Sequence, residues 1–202
     1  LQFLLNFGNS DQGADGICFV LQTVGVNALG DAGGGLGFLG TDFLPSFAIE
    51  FDTYQNGDYA DPVGDHIAMV SNGSVDHTAG SAIAGPVQAD AFNGNIEDGE
   101  DHQGRVTWDP VGQIVRVYFD CELRLEGIVN LVDDSCEGQS QVYFGFTAGT
   151  GGQVNVQTVC LEENILGSAQ QSFVCPGAEL QLNVPSPSGT AAWSPGEYLS
   201  DS

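Results

Sequence analysis

Glu50-Phe-Asp-Thr-Tyr-Gln-Asn-Gly-Asp-Tyr-Ala-Asp-Pro-Val-Gly-Asp-His66 is the most informative stretch of the 202-residue chain. Phe47 to Thr53 has a strand-forming, largely apolar composition. On a strand, Glu50 and Asp52 leave the same face, roughly 6.5 to 7 Å apart at Cα. Two adjacent carboxylates on one face need a counter-charge, and no Lys or Arg lies nearby in sequence; a divalent cation would supply it. Beyond the strand, Asn56, Asp58, Asp61 and Asp65 fall in a turn-forming loop able to fold oxygen donors back, and His66 returns where the next strand begins. Carboxylate, amide and carbonyl oxygens suit calcium, and one imidazole among carboxylates suits a transition metal such as manganese. Any one Asp, Asn or Gly here is an ordinary turn former, but turn chemistry does not explain a Glu and an Asp facing the same way on an apolar strand.

The composition points the same way. Three Lys+Arg against 27 Asp+Glu give a formal charge of −24, and all three cations are arginines (Arg105, Arg116, Arg124). A chain that repels phosphate this strongly has no basic-patch route to nucleic acid or to anionic membranes, whereas the same field attracts hard cations. No apolar run reaches the ~18 residues of a spanning helix. With 42% hydrophobic and 15% charged residues the chain can build an ordinary core under an acidic surface.

Glycine, at 29 residues, recurs with Asn, Asp and Ser in clusters that interrupt every apolar run, and no long stretch keeps a helical period. The expected class is all-β. Strands are expected over Leu1 to Phe7, Ile17 to Val24, Phe47 to Thr53, His66 to Ser71, Arg105 to Trp108, Gln113 to Phe119, Glu122 to Val129, Val142 to Phe146 and Gln153 to Cys160. Val115, Val117 and Phe119 alternate with Arg116, Tyr118 and Asp120, giving one buried and one wetter face. Many strands joined by glycine-rich turns argue a sandwich of two antiparallel sheets. This first domain is expected over residues 1–165. A polar stretch then leads into a new strand-like pattern, and 166–202 reads as a linker and the start of an immunoglobulin-like module, since about 30 residues cannot bury a core alone. Opening at Leu1 with neither Met nor a signal peptide, the chain is expected to be part of a longer, exported, multidomain protein.

The metal loop resembles that of the L-type (legume-like, concanavalin-like) lectins, and specifically their bacterial cell-surface branch. In that family the loop carries Glu, Asp two on, an aromatic two further, Asn two further, Asp five beyond and His five later. Glu50, Asp52, Tyr54, Asn56, Asp61 and His66 fill those six places. The resemblance implies a concanavalin-like jelly-roll sandwich. It also implies calcium on Asp52, the Tyr54 carbonyl, Asn56 and Asp61, with a transition metal, Mn2+ or another, on Glu50, Asp52, Asp61 and His66. Gly13-Ala-Asp-Gly16 looks like the family's strand entry, in which the peptide here joining Ala14 and Asp15 is cis and the Asp binds sugar hydroxyls. Gly33-Gly-Gly-Leu-Gly37 resembles the loop whose backbone N–H, here that of Gly34, donates to the same sugar. It is no phosphate loop, since no Lys follows it. Gly145 to Gln153, with Gly151 and Gly152, looks like the variable loop that sets sugar specificity, and Asn56 would serve both calcium and sugar. By resemblance, then, the protein is a secreted or surface-anchored adhesin domain that binds glycans and is no enzyme. The resemblance covers about Leu1 to Cys160. It departs from the family in lacking the first strands, which would leave sheet edges open.

Two rival readings share the fold. A glucanase would need a third carboxylate on the Glu50–Asp52 strand, where Tyr54 or Gln55 stands instead. A purely structural adhesin module would keep calcium and lose the sugar site, which the presence of Asp15, Gly34 and Asn56 together argues against. His77 and His102 lie in polar surroundings and are expected at the surface, and Trp108 is expected as a core anchor. Five cysteines fit an oxidising compartment. Cys121 and Cys136, fifteen residues apart, are expected to staple a loop, Cys160 and Cys175 are a second candidate pair, and Cys18 is expected as a buried thiol or the partner of a cysteine beyond this chain.

Overall fold

Ten strands form among residues 1–40, 43–139 and 142–161, the residues that the computed structural model describes. They are β1 (Gln2–Asn6), β2 (Gly16–Gln22), β3 (Ser46–Asp52), β4 (His66–Ser71), β5 (Ala82–Gln88), β6 (His102–Asp109), β7 (Ile114–Phe119), β8 (Glu122–Ile128), β9 (Tyr143–Gly149) and β10 (Thr158–Leu161). They make two five-stranded sheets, ordered β10-β1-β6-β7-β8 and β5-β4-β3-β2-β9, with every paired neighbour antiparallel. The expected immunoglobulin-like segment, with Cys175, lies outside the described residues. β1 is paired on both sides, so the expected open edge does not fall on the first strand; β10, β8, β5 and β9 end the sheets among the described residues.

Alternation along the strands decides what fills the space between the sheets. Phe3 and Leu5 from β1 meet Val115, Val117 and Phe119 from β7 and the odd-numbered residues of the facing sheet, namely Ile17, Phe19, Phe47, Ile49, Phe51, Ile67 and Met69. Phe3 packs edge-on against Phe146 (4.9 Å) and Phe51 (6.1 Å), and each large apolar side chain so buried is worth ~1.5 to 3 kcal/mol. The even-numbered residues of the same sheet point the other way, yet they are buried too. Cys18, Val20, Ala48, Ala68 and Val70 form a second core with Leu36, Phe38, Phe43 and Val75, contributed by the segments that cross this face. β3 is therefore buried at all seven positions. An antiparallel sheet ordinarily leaves one face wet; here loops cover it, and Glu50 and Asp52 lie beneath that cover.

Several expectations need correction. β5 was not among the expected strands; its sequence carries Gly85-Pro86, and proline cannot donate to a ladder. It forms nonetheless, as an edge strand with an irregular register to β4 and a cis Gly85–Pro86 bond. Trp108 is 38% exposed: it keeps the phase of His102 and Gly104 but lies beyond Val106, the last residue of β6 packed on the core. His102 is buried rather than at the surface. Its ring stacks on Phe119 (4.9 Å), Nδ1 faces Asp120 Oδ2 at 2.7 Å, and Nε2 faces the Ile96 carbonyl at 3.2 Å. Cys136 and Cys160 carry free thiols, so neither expected pairing forms, while Cys18 is a buried free thiol.

Candidate metal and sugar site

The register of β2, β3 and β4 sets the floor of the site. Cys18 and Ala68 flank Glu50, and Gly16 and His66 flank Asp52, so His66 shares a face with both carboxylates. The segment after β3 then doubles back. Asp52 Oδ1 accepts from Tyr54 N at 2.7 Å, Tyr59 N donates to the Asn56 carbonyl at 3.0 Å across a short 3-10 turn (Gly57–Tyr59), and Asn56 N donates to Asp61 Oδ2 at 2.6 Å. These bonds bring Asp61 back over the strand, with Oδ1 3.9 Å from His66 Nε2. Glu50 and His66 are each 1% exposed and Asp52 3%.

A residue expected at the surface completes the cluster. The segment following β4 crosses the same face, pinned by Val75 in the second core and by His77 N, which donates to the Tyr59 carbonyl at 3.0 Å. His77, whose side chain is 4% exposed, meets Glu50 Oε1 through Nε2 and places Nδ1 3.4 Å from Asp61 Oδ1. Its partners lie 27 and 16 residues away in sequence, so no local spacing signalled it. The only hint was a histidine at the far end of the segment returning from the strand that His66 opens. Asp65, one of the expected loop donors, is directed elsewhere and accepts from Ile96 N at 2.7 Å.

One atom each from Glu50, His66 and His77 lie within 4.8 Å of one another, as do atoms from Asp52, Asp61 and His66. Glu50 Oε2, both ring nitrogens of His66 and Asn56 Oδ1 are buried without a hydrogen-bond partner, a costly condition unless something else binds them. His66 Nε2 stands 3.7 Å from Glu50 Oε1. That is too far for a hydrogen bond but within the ~4.2 Å that two donors can span across one ion at bonds of about 2.1 Å. No arginine intervenes: Arg105 stacks on Tyr118, Arg116 pairs with Glu126 and Arg124 bonds the Gln88 and Ala89 carbonyls, all on β6 to β8. Burial, followed by the charge of Glu50, pushes the Asp52 carboxyl well up, and burial also raises Asp61. Burial would raise Glu50 as well, but the two imidazoles outweigh it and hold its pKa below the ordinary value. The donor set fits a metal centre: imidazoles and carboxylates suit a transition ion at Glu50 and His66, and oxygens from Asp52, Asn56 and Asp61 suit a hard ion beside it.

Beside this cluster the structure gathers most of the expected sugar residues. The Ala14–Asp15 peptide is cis. Asp15 N donates to the Gly149 carbonyl at 3.0 Å and its own carbonyl accepts from Thr53 N at 2.9 Å, while Oδ2 is buried and unpartnered. Burial raises this carboxyl. A Cβ at Gly151 would stand 3.5 Å from Asp15 Oδ2, and one at Gly34 would stand 2.6 Å from Asn56 Oδ1. At Gly34, then, only glycine allows the backbone this approach. Gly152 touches none of these residues; a Cβ there would meet open space. Tyr54 is exposed, and its ring takes no part in the cluster. An open depression of about 450 Å³ is lined by Asp31, Gly34, Gly35, Asn56, Asp58 and Tyr59. Asp31 and Tyr59 carry no motif that marks them in the sequence.

The sequence profile of the legume lectin beta-barrel domain matches residues 1–163. Solved structures with the same fold include the Bauhinia forficata lectin in complex with GalNAc (20% identity, TM-score 0.58, covering 79% of this chain and 70% of that one). The basic winged bean lectin with Tn-antigen is 23% identical (TM-score 0.59, 79% and 66%). The acidic winged bean lectin complexed with methyl-α-D-galactose is 26% identical (TM-score 0.58, 78% and 64%). This chain thus spans 64 to 70% of the length of those lectins. With a family profile running through both sheets and the loops that carry the carboxylate cluster, the chain belongs to the legume-type lectin domain family.

Proposed function

We propose that this chain is a carbohydrate-binding domain whose sugar site is ordered by calcium and a neighbouring transition metal. The observation that carries the reading is the convergence of two buried, unpartnered oxygens, Asp15 Oδ2 and Asn56 Oδ1, with the close approach of the Gly34 backbone to Asn56. Calcium on Asp52, the Tyr54 carbonyl, Asn56 and Asp61 would hold the Asn56 amide so that its nitrogen faces the depression. The transition metal on Glu50, Asp52, Asp61 and His66 would lock the loop to β3 and β4. Asp15, the Gly34 N–H and Asn56 then bond vicinal hydroxyls of one sugar, and Gly151 and Gly152 belong to the variable loop that tunes which sugar fits. Recognition proceeds without turnover, since the position that a glycosidase would need for its third carboxylate carries Tyr54 or Gln55.

A single sugar binds weakly in so open a site, because each hydroxyl exchanges water for protein at little net gain. Several copies on a surface raise the avidity, which suits an exported, surface-displayed bacterial adhesin in which residues 166–202 begin an immunoglobulin-like module. The sugars named with the similar lectins make galactose and N-acetylgalactosamine the first probes. A glycan array, run in calcium plus manganese and again in EDTA, tests the proposal. The expected result is binding to a defined sugar class that vanishes in EDTA. Silence in both buffers, with metal still raising the melting temperature, refutes the lectin reading in favour of a structural module; shortened glycans in the eluate refute recognition without turnover.

A further inference from the structure

We propose that His77 is a direct ligand of the transition metal, turning that position into a two-imidazole site that prefers zinc-class ions to manganese. The inference rests on the metal reading above and specifies which ion the site takes. The four residues that the family pattern supplies, Glu50, Asp52, Asp61 and His66, offer one nitrogen among three carboxylates, a set suited to manganese. His77 adds a second nitrogen. Imidazole donors shift preference toward zinc, nickel and copper, and manganese stands lowest in the general affinity order for divalent ions of this row.

The geometry treats the two histidines alike. Their rings stand 5.1 Å apart and nearly perpendicular, at 83°, and both direct Nε2 at the same oxygen, Glu50 Oε1. His77 Nδ1 and His66 Nε2 lie 3.4 and 3.9 Å from Asp61 Oδ1, close to the ~3.3 to 4.2 Å that separates donors sharing one ion at bonds of 2.0 to 2.1 Å. His77 Nδ1 is buried without a hydrogen-bond partner, as are Glu50 Oε2 and both His66 nitrogens. An ion shared by the two imidazoles and the carboxylate would take one nitrogen from each ring and one oxygen of Glu50. The backbone is also placed for the task. His77 N is bonded to the Tyr59 carbonyl within the metal loop, Val75 is buried in the second core, and Asp76 Oδ1 accepts from Thr78 N and Oγ1 at 2.8 and 2.7 Å. The His77 ring is thus held over the site by both neighbours.

The test strips the full chain of metal, restores calcium, and titrates Zn2+ and Mn2+ by calorimetry, with Co2+ absorption as a spectroscopic readout of the ligand set. Wild type is compared with His77→Ala, His77→Gln and His66→Ala, and melting of each metal-free variant checks folding. Zinc outranks manganese at almost any nitrogen site, so the decisive quantity is the change on substitution. Zinc affinity should fall by ~10-fold or more in both His77 variants; because loss of a supporting partner alone costs about 10- to 100-fold, the cobalt spectrum decides between a ligand and a support. The zinc-to-manganese preference should narrow by a similar factor, and the cobalt spectrum should change in band position and intensity. His66→Ala should weaken zinc binding at least as much and change the cobalt spectrum as well. An unchanged cobalt spectrum in the His77 variants, with zinc binding weakened in His66→Ala, would overturn the proposal and leave the metal site standing. Absence of zinc, manganese and cobalt binding in the wild type would overturn both.

Discussion

Replacing Gly34 by alanine tests the sugar site with the smallest possible change. Gly34 does not occupy the left-handed region, so alanine brings no backbone strain; its cost comes from the new methyl, which would stand 2.6, 2.8 and 2.9 Å from Oδ1, Cγ and Nδ2 of Asn56. Ordinary contact begins near 3.4 Å, so the amide must withdraw by about 0.8 Å, the difference from the 2.6 Å contact. Asn56 N is tied to Asp61 Oδ2, so the side chain moves while the backbone stays. A shift of that size removes one or two hydrogen bonds to the sugar, each worth ~0.5 to 1.5 kcal/mol, and adds the methyl's bulk beneath the ligand. The expected loss is about 1 to 3 kcal/mol, or ~5- to 150-fold in Kd. Calorimetric titration with the sugar class identified on the array measures it, and zinc titration should show the transition site unchanged. Wild-type sugar affinity in Gly34→Ala would refute the placement of the ligand between this backbone and Asn56.

Three further outcomes follow from the same geometry. Asp15→Asn should abolish sugar binding while both metals still bind, because Asp15 lies outside the metal donor set; calorimetry with metal and with sugar separates the two. Asp52→Asn, which changes a group shared by both sites, should remove sugar binding and the metal-dependent rise in melting temperature. That rise is ~2.7 kcal/mol at 100 Kd of ligand, or about 5 to 10 °C for a domain of this size. Glu97, buried and bonded through Oε1 to Asn155 Nδ2 at 2.8 Å, has its carboxyl pushed up to about 7, chiefly by burial. Between pH ~4.5 and 7 the folded protein keeps a proton there that the unfolded chain has released, so stability falls as pH rises through that window. Glu97→Gln should recover about 1 to 3 kcal/mol at pH 8 and little at pH 5, measured by urea unfolding in chelator.

What the sequence revealed and what it hid follow the range of the interactions. Glu50 and Asp52 are legible because a two-residue spacing on a strand is local geometry, and β7 is legible because Val115, Val117 and Phe119 face a core while Arg116 and Tyr118 do not. His77 is hidden because it reaches Glu50 only after the chain has left β4 and crossed back over the outer face of the sheet. The double burial of β3 is hidden for the same reason: Leu36, Phe38, Phe43 and Val75, which cover Ala48 and Ala68, come from segments outside the strands, and their spacing marks no buried face. β5 contradicts its own proline, Trp108 obeys the strand's phase but outruns its cover, and Cys136 lies near Cys121 in sequence yet keeps a free thiol.

The central claim is that the buried cluster around Glu50, Asp52, Asp61, His66 and His77 is a two-metal centre. Elemental analysis of the chain, loaded with calcium and zinc and then freed of loose ions by gel filtration, tests it most directly. The account predicts one calcium and one zinc per chain, both lost in Asp52→Asn. A wild-type chain that retains neither ion, or an Asp52→Asn chain that retains both, would contradict it.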